Sequence, residues 1–480
     1  MGHQTRREFI QSIGLTAASV GASSLLPSCT GMGQTTKISA NRPNIIFILA
    51  DDLGYGDLGC YGQTTIKTPN IDKMAAEGMR FTDHYAGTTI CAPSRCSLMT
   101  GLHTGHTLLR SNGEVPLRPS DVTVAKLVKN AGYTTGIIGK WGLGEPDTTG
   151  IPNRQGFDYW FGYLNQRHAH NYYPDYLWRN EEKVWLKNEV RWIRDIDPPG
   201  SVATKRVEYS HDLFTKEALG FVEQNKDKPF FLYLAYTIPH ANNEADPKKG
   251  MEVPSLEPYA DKDWPEPQKA HAAMITRMDS DIGRLMSQLK KLGLDENTIV
   301  MFSSDNGPHK EGGADPAFFK SSGPLRGYKV ALYEGGIRVP TIARWPGRIK
   351  AGSVSNHVSA FWDILPTCCE LAGAETPEGI DGISMLPTLL GQSSKQKQHE
   401  FLYWEVHLQD KKQAVRMGDW KGVQLDMVKT PKGPIELYNL KSDIGEKHNI
   451  AEQHPEIVAK IEKYMMAAHT PSKYWPLPGE

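Results

Sequence analysis

Four short runs constrain the fold of this chain more than any other feature: residues 43–50 (PNIIFILA), 133–138 (YTTGII), 229–235 (PFFLYLA) and 298–303 (TIVMFS). Each is continuously apolar and rich in β-branched or aromatic residues. A strand with one face in water alternates polar and apolar side chains, whereas a strand covered on both faces does not. Helical patterns lie between the runs. Ser120 or Asp121 is placed to cap a helix running to Asn130, with Gly132 as its stop. The clearest helix spans 268–292, with Met274, Ile275, Met278, Ile282, Leu285, Met286 and Leu289 on one stripe and Gly293 at its end. Strands alternating with helices predict an α/β domain with a mostly parallel sheet flanked by helices.

Residues 150–210 and 240–267 are rich in aromatics, Asn and Pro, and read as long loops over that sheet. Beyond Gln392 the texture changes. Strand-like runs at 401–407, 413–417, 421–425 and 436–440 precede a helical pattern at 455–469. This predicts a small antiparallel sheet with one helix packed on it. The expected division is a catalytic domain at 43–391 and a C-terminal subdomain at 392–480, preceded by a polar linker at 30–42.

Residues 1–29 read as an export signal. Thr5-Arg6-Arg7-Glu8-Phe9-Ile10 resembles a twin-arginine motif, and a modest apolar stretch follows it. Leu25-Leu26-Pro27-Ser28-Cys29 is a lipobox-like ending. Two outcomes stay open: a lipid anchor at Cys29, or ordinary cleavage nearby. Either places the mature protein in the periplasm or on the outer surface. With 54 Lys plus Arg against 55 Asp plus Glu, the charge does not point to nucleic acid. No run reaches the ~18 apolar residues of a membrane span. Six cysteines, two of them neighbours at 368 and 369, do not form a disulfide framework.

In an open parallel sheet the carboxyl ends of the strands share one edge, where ligands bind. Asp51 and Asp52 follow the first run, and Asp305 and Asn306 follow the last. Two strand ends thus bring four oxygen-bearing side chains together, a donor set suited to Ca²⁺, with Mg²⁺ second. Lys140 and His240 follow the other two runs. Lys329 lies in a glycine-rich stretch, 323–340. Two lysines and a histidine around a metal are equipped to neutralise a tetrahedral oxyanion and a departing oxygen.

Between these segments lies Cys91-Ala92-Pro93-Ser94-Arg95-Cys96-Ser97-Leu98-Met99-Thr100-Gly101. It resembles the signature of the formylglycine-dependent (type I) sulfatases of the alkaline phosphatase superfamily. The resemblance runs from Pro43 to about Pro387 and continues weakly beyond. It implies an alkaline-phosphatase-like fold and oxidation of Cys91 to formylglycine by a maturation enzyme, the hydrated aldehyde being the nucleophile. It also implies Asp51, Asp52, Asp305, Asn306 and modified Cys91 as metal ligands, usually for calcium. Arg95 would hold the diol, Lys140 and Lys329 would bind sulfate oxygens, and His240 would sit by the leaving group.

One position departs from the family. Where it commonly reads Gly-Lys-Trp-His-Leu-Gly, this chain has Gly139-Lys140-Trp141-Gly142-Leu143-Gly144. The histidine often assigned as base for the second step is missing. His168, His170 and His309 are the alternatives, and His168 and His170 are also the expected substrate contacts. The reading is an exported hydrolase of sulfate monoesters, with a sulfated carbohydrate as substrate. Its rivals are a formylglycine-dependent phosphonate or phosphodiester hydrolase, and a non-catalytic glycan-binding lipoprotein.

Overall fold

The computed structural model describes residues 42–113 and 115–480. The export signal with Cys29, and the linker through residue 41, lie outside the described residues. A ten-stranded sheet organises the larger part. Its centre is five parallel strands in the spatial order Thr298–Ser304, Asn44–Ala50, Phe230–Ala235, Thr134–Lys140 and Tyr159–Tyr163. Antiparallel strands extend it on both sides, Thr341–Arg344 at one end and Tyr176–Arg179 at the other.

The Asn44–Ala50 strand shows why the apolar runs do not alternate. Ile46, Ile48 and Ala50 enter one core; Ile45, Phe47 and Leu49 enter a second core on the opposite face. The first core is covered by the Glu266–Lys291 helix through Met274, Met278, Ile282, Leu285 and Leu289. The second is covered by the Cys91–Thr100 and Ile364–Ala372 helices. Each fully buried side chain of this kind contributes about 1.5–3 kcal/mol, so both faces hold the strand in register.

Two local readings are corrected. The early helix is Val124–Asn130, and its cap is Thr123, whose hydroxyl accepts from the Lys126 amide; Ser120 and Asp121 lie outside it. Residues 150–210 are not long loops. They hold Tyr159–Tyr163, Tyr176–Arg179, Glu182–Trp185 and the paired strands Glu189–Ile193 and Gly200–Lys205. Most are short and partly exposed, so their composition is that of a solvated surface although the backbone is paired.

The C-terminal sheet is an antiparallel meander of Leu402–Val406, Lys412–Met417, Trp420–Gln424 and Ile435–Asn439. Side chains alternate across it. Tyr403, Val415 and Leu437 meet Ile461 and Met465 of the Pro455–Ala468 helix. Leu402, Trp404 and Val406 meet Tyr85, Leu332, Ile337 and Trp362 of the larger part. Trp404 is fully buried in that seam.

Candidate active site

The parallel strands deliver Asp51, Asp52, Lys140, Asp305 and Asn306 to one sheet edge, all buried. Backbone pairing there is direct: the Asp51 amide donates to Ile238 O and the Asp305 amide to Ala50 O. Asp52 holds a left-handed backbone, φ 66°. That conformation is unfavourable for a residue with a Cβ and persists only where surroundings enforce it. Here the Asp52 amide donates to Asp305 Oδ1 (3.1 Å), and Asn306 Nδ2 donates to Asp52 Oδ1 (2.6 Å).

Cys91 is the first residue of a wholly buried helix, Cys91–Thr100. Proline at 93 is tolerated because the first turn lacks intrahelical partners for its amides. Ser94 fixes the helix against the strand end: its hydroxyl donates to Asp305 O (2.6 Å) and accepts from the Gly87 amide. The Cys91 Sγ lies 3.4 Å from Asp51 Oδ1. Burial and then the Asp51 charge push its thiol well above the usual range, so an unmodified Cys91 is a poor nucleophile at neutral pH.

Three cations balance three aspartates. Arg95 grips Asp305 Oδ2 through Nε (3.0 Å) and Nη2 (2.8 Å) and donates from Nη1 to Lys140 O (2.7 Å). Lys140 Nζ is 2.7 Å from Asp51 Oδ2. Lys329 Nζ is 2.8 Å from Asp52 Oδ2, 2.9 Å from His240 Nε2 and 3.1 Å from Glu311 Oε2. Burial alone would raise the Asp51 carboxyl, but Lys140 and Arg95 override it and hold it well below its ordinary value. Asp305 is pushed up to about 7 by burial and by its aspartate neighbours. Burial and the Lys329 charge pull His240 down to about 3. Its Nδ1 lies 2.7 Å from Ala241 O. A carbonyl only accepts, so Nδ1 carries the proton and the Nε2 lone pair faces Lys329.

Asp51, Asp52, Cys91 and His240 each bring one ligand atom within 4.8 Å of the others. The Oδ1 of Asn306 is buried without a hydrogen-bond partner. A buried carbonyl oxygen in that state is suited to bind a cation. Three aspartates and this amide oxygen form a hard-oxygen donor set fitted to a divalent cation. Both oxygens of Asp305 already accept, from the Asp52 amide and from Arg95, and so do both oxygens of Asp52, from Asn306 Nδ2 and Lys329, so a cation would share these oxygens with their present donors.

The histidines separate. His170 stacks on His240, ring centroids 4.6 Å apart, and is held by Glu244 Oε2 (2.9 Å). His309 has both ring nitrogens engaged, Nε2 with Pro239 O and Nδ1 with the Glu311 amide. It is not free to take a proton. His168, expected at the substrate, is instead enclosed by the rings of Tyr163, Tyr176 and Trp192, because its loop turns it into the aromatic layer. Sequence reasoning missed Glu311 and Glu244. Neither follows an apolar run, and no local pattern marks them.

The profile of the Sulfatase family matches residues 43–374, and that of the N-sulphoglucosamine sulphohydrolase C-terminal region matches 328–470. This chain belongs to the sulfatase family. As a sulfatase it is 32% identical to arylsulfatase A of Homo sapiens over 476 residues, covering 89% of this chain and 88% of that protein. It is 31% identical to an N-acetylgalactosamine-6-O-sulfatase of Bacteroides thetaiotaomicron over 505 residues, covering 90% and 94%. Among solved structures, Ps i-CgsB in complex with k-i-k-neocarrahexaose superposes with a TM-score of 0.74 at 30% identity, covering 89% of this sulfatase and 92% of that chain. The phosphonate monoester hydrolase of Agrobacterium radiobacter shares the fold, with a TM-score of 0.63 at 20% identity, covering 89% and 95%.

Proposed function

We propose that this sulfatase hydrolyses sulfate monoesters of a carbohydrate, with Cys91 oxidised to formylglycine as the nucleophile and Ca²⁺ held by Asp51, Asp52, Asp305 and Asn306. The observation that carries the reading is the seating of Cys91. It opens a buried helix 3.4 Å from Asp51, in one cluster with Lys140, Lys329 and His240. A bound divalent cation would supply charge that acidifies an oxygen nucleophile beside it. A carbohydrate substrate is supported by the printed activities of the relatives, an N-acetylgalactosamine-6-O-sulfatase among them. In this reading residues 43–391 carry the chemistry, 392–480 form a C-terminal subdomain, and residues 1–29 direct export.

The chain's own residues then divide the work. Lys140 and Lys329 present two fixed positive charges to the sulfate oxygens, where they act at full strength because water is excluded. Arg95 locks the Asp305 carboxylate in place. Asp52 and its neighbours hold the Lys329 proton firmly despite burial, while His240 stays neutral at physiological pH. Lys329 is thus the protonated partner of the pair, and His240 Nε2 accepts from that ammonium and orients it. Of the three histidines weighed for the second step, His170 and His309 both stack on His240, at 4.6 and 5.9 Å; His309 has both ring nitrogens engaged, which leaves His170 as the candidate.

The test is turnover by protein made with a maturation enzyme. The reading requires hydrolysis of an aryl sulfate in preference to an aryl phosphate diester, followed by activity on one of a panel of sulfated mono- and oligosaccharides. Faster cleavage of the phosphate diester would favour the phosphodiester alternative.

A further inference from the structure

The position where this chain departs from its family is filled by another residue. Gly142 has φ +80°, and a Cβ placed on it would lie 1.8 Å from Gln166 Nε2 and 2.7 Å from Gln166 Cδ. No side chain at 142 coexists with Gln166 where it stands. The Gln166 carboxamide is also unusual in itself. Both Nε2 and Oε1 are shielded from solvent, and neither has a hydrogen-bond partner among the described residues. A buried amide with neither end satisfied costs on the order of 1–3 kcal/mol per group. Native proteins rarely leave such a group unmatched.

Its surroundings show what would match it. Gly142 is two residues beyond Lys140, whose ammonium sits on Asp51. The Gly142 amide donates to Leu164 O, which ties this turn to the loop carrying Gln166. Four residues later the same loop presents His170, stacked on His240. The Gln166 amide thus lies against the turn that follows Lys140, on the loop that carries His170 to His240. An anionic ester bound there offers acceptor oxygens to Nε2.

We propose that Gln166 is a sulfate-contacting residue, whose Nε2–H donates to a sulfate oxygen of the bound ester from the space that a side chain at 142 would occupy. Glycine at 142 is the condition for this contact. Gln166 has no titrating proton, so it positions the ester and leaves proton transfer to other groups. The proposal rests on the sulfatase reading of the site.

The experiment compares kcat/KM for 4-nitrophenyl sulfate in the mature enzyme with Gln166→Met, Gln166→Glu and Gln166→Ala, with thermal unfolding measured alongside. Methionine keeps the length and volume and removes the amide. The expected result is a loss of about 10- to 100-fold for Gln166→Met, the scale of one hydrogen bond to a charged group, at an unfolding temperature close to wild type. Gln166→Glu should lose more at neutral pH, because a carboxylate meets the sulfate. It should recover towards acid pH as the carboxyl protonates, a response that a space-filling role would not produce. Wild-type turnover by Gln166→Met, with only Gln166→Ala destabilised, would make Gln166 a packing residue and overturn the proposal. If the wild-type enzyme itself fails to turn over sulfate esters, it is the sulfatase reading that falls.

Discussion

Two charge clusters in this protein are each built on three cations facing acids, with Glu311 a fourth acid beside Lys329 in the first, and they do different things. At the sheet edge, Asp51, Asp52 and Asp305 face Arg95, Lys140 and Lys329. At the seam with the C-terminal sheet, Asp83, Glu334 and Glu446 face Arg338, Arg416 and Lys421. Each contains one carboxyl pushed up to about 7 by burial and acidic neighbours, Asp305 in one and Glu446 in the other. Ion pairing and perturbed acidity therefore do not tell a working site from a structural one. The geometry around the charges does. The seam acids close on cations and on the Tyr85 hydroxyl, which donates to Glu334 Oε2 (2.6 Å). Both clusters hold a left-handed acid, Asp52 (φ 66°) and Glu446 (φ 50°); what the sheet edge has besides is an orphaned amide oxygen, Asn306 Oδ1, and a cysteine at the start of a helix. The orphaned oxygen costs stability locally and is left for a ligand to satisfy.

The comparison breaks most sharply under substitution. Asp305→Ala removes the partner of Arg95 and of the Asp52 amide. It should lower aryl sulfate turnover by at least about 10³-fold, the scale of lost preorganised electrostatics, and calcium content measured by elemental analysis should fall with it. A variant that keeps its calcium would separate Asp305 from the metal. At the seam the effect should move to stability. Glu334→Ala leaves Lys421 and Arg338 short of a buried partner and should cost about 3–5 kcal/mol in denaturant unfolding. Turnover per folded molecule should stay near wild type. A seam variant that loses activity without losing stability would erase the distinction.

His240→Ala sharpens the account inside the site. If His240 orients the Lys329 proton donor, the loss should be on the order of 10² for an aryl sulfate and larger for an alkyl or sugar sulfate, whose leaving oxygen needs the proton more. Equal losses on both would remove His240 from leaving-group chemistry.

A further effect concerns pH and lies outside both clusters. His84 and His103 are pulled down to about 4, and His168 to about 3, each chiefly by burial. Unfolded, they titrate near 6.5. Between those values the unfolded chain binds more protons, so stability is complete above about pH 6.5 and falls as pH drops towards 4. The slope is about 1.4 kcal/mol per pH unit for each histidine. His168→Phe should flatten the acid limb of an unfolding-temperature profile; an unchanged limb would assign the acid lability to other groups.

Much of this was legible in the sequence, for a physical reason. The four apolar runs report burial on both faces, which only a covered sheet provides, and all four are strands. Once the sheet is parallel, its carboxyl ends gather Asp51, Lys140, His240 and Asp305 without further information. What was not legible depends on contacts distant along the chain. The strands at Glu182–Trp185 and Glu189–Ile193 lack a buried face and so lack its pattern. His168 and His170 are two residues apart in one short 3₁₀ turn, yet one enters an aromatic layer and the other reaches the site. Glu311 and Gln166 carry no local mark, since each acquires its role from a neighbour far along the chain: Lys329 Nζ for one, the bare Cα of Gly142 for the other.

The central claim is that Cys91 does not act as a thiol. Mass spectrometry of the tryptic peptide ending at Arg95, from protein made alongside a maturation enzyme, tests it directly. The account predicts that Cys91 appears as the lighter aldehyde and that specific activity rises in proportion to the converted fraction. A fully active preparation in which residue 91 remains an intact thiol would contradict it.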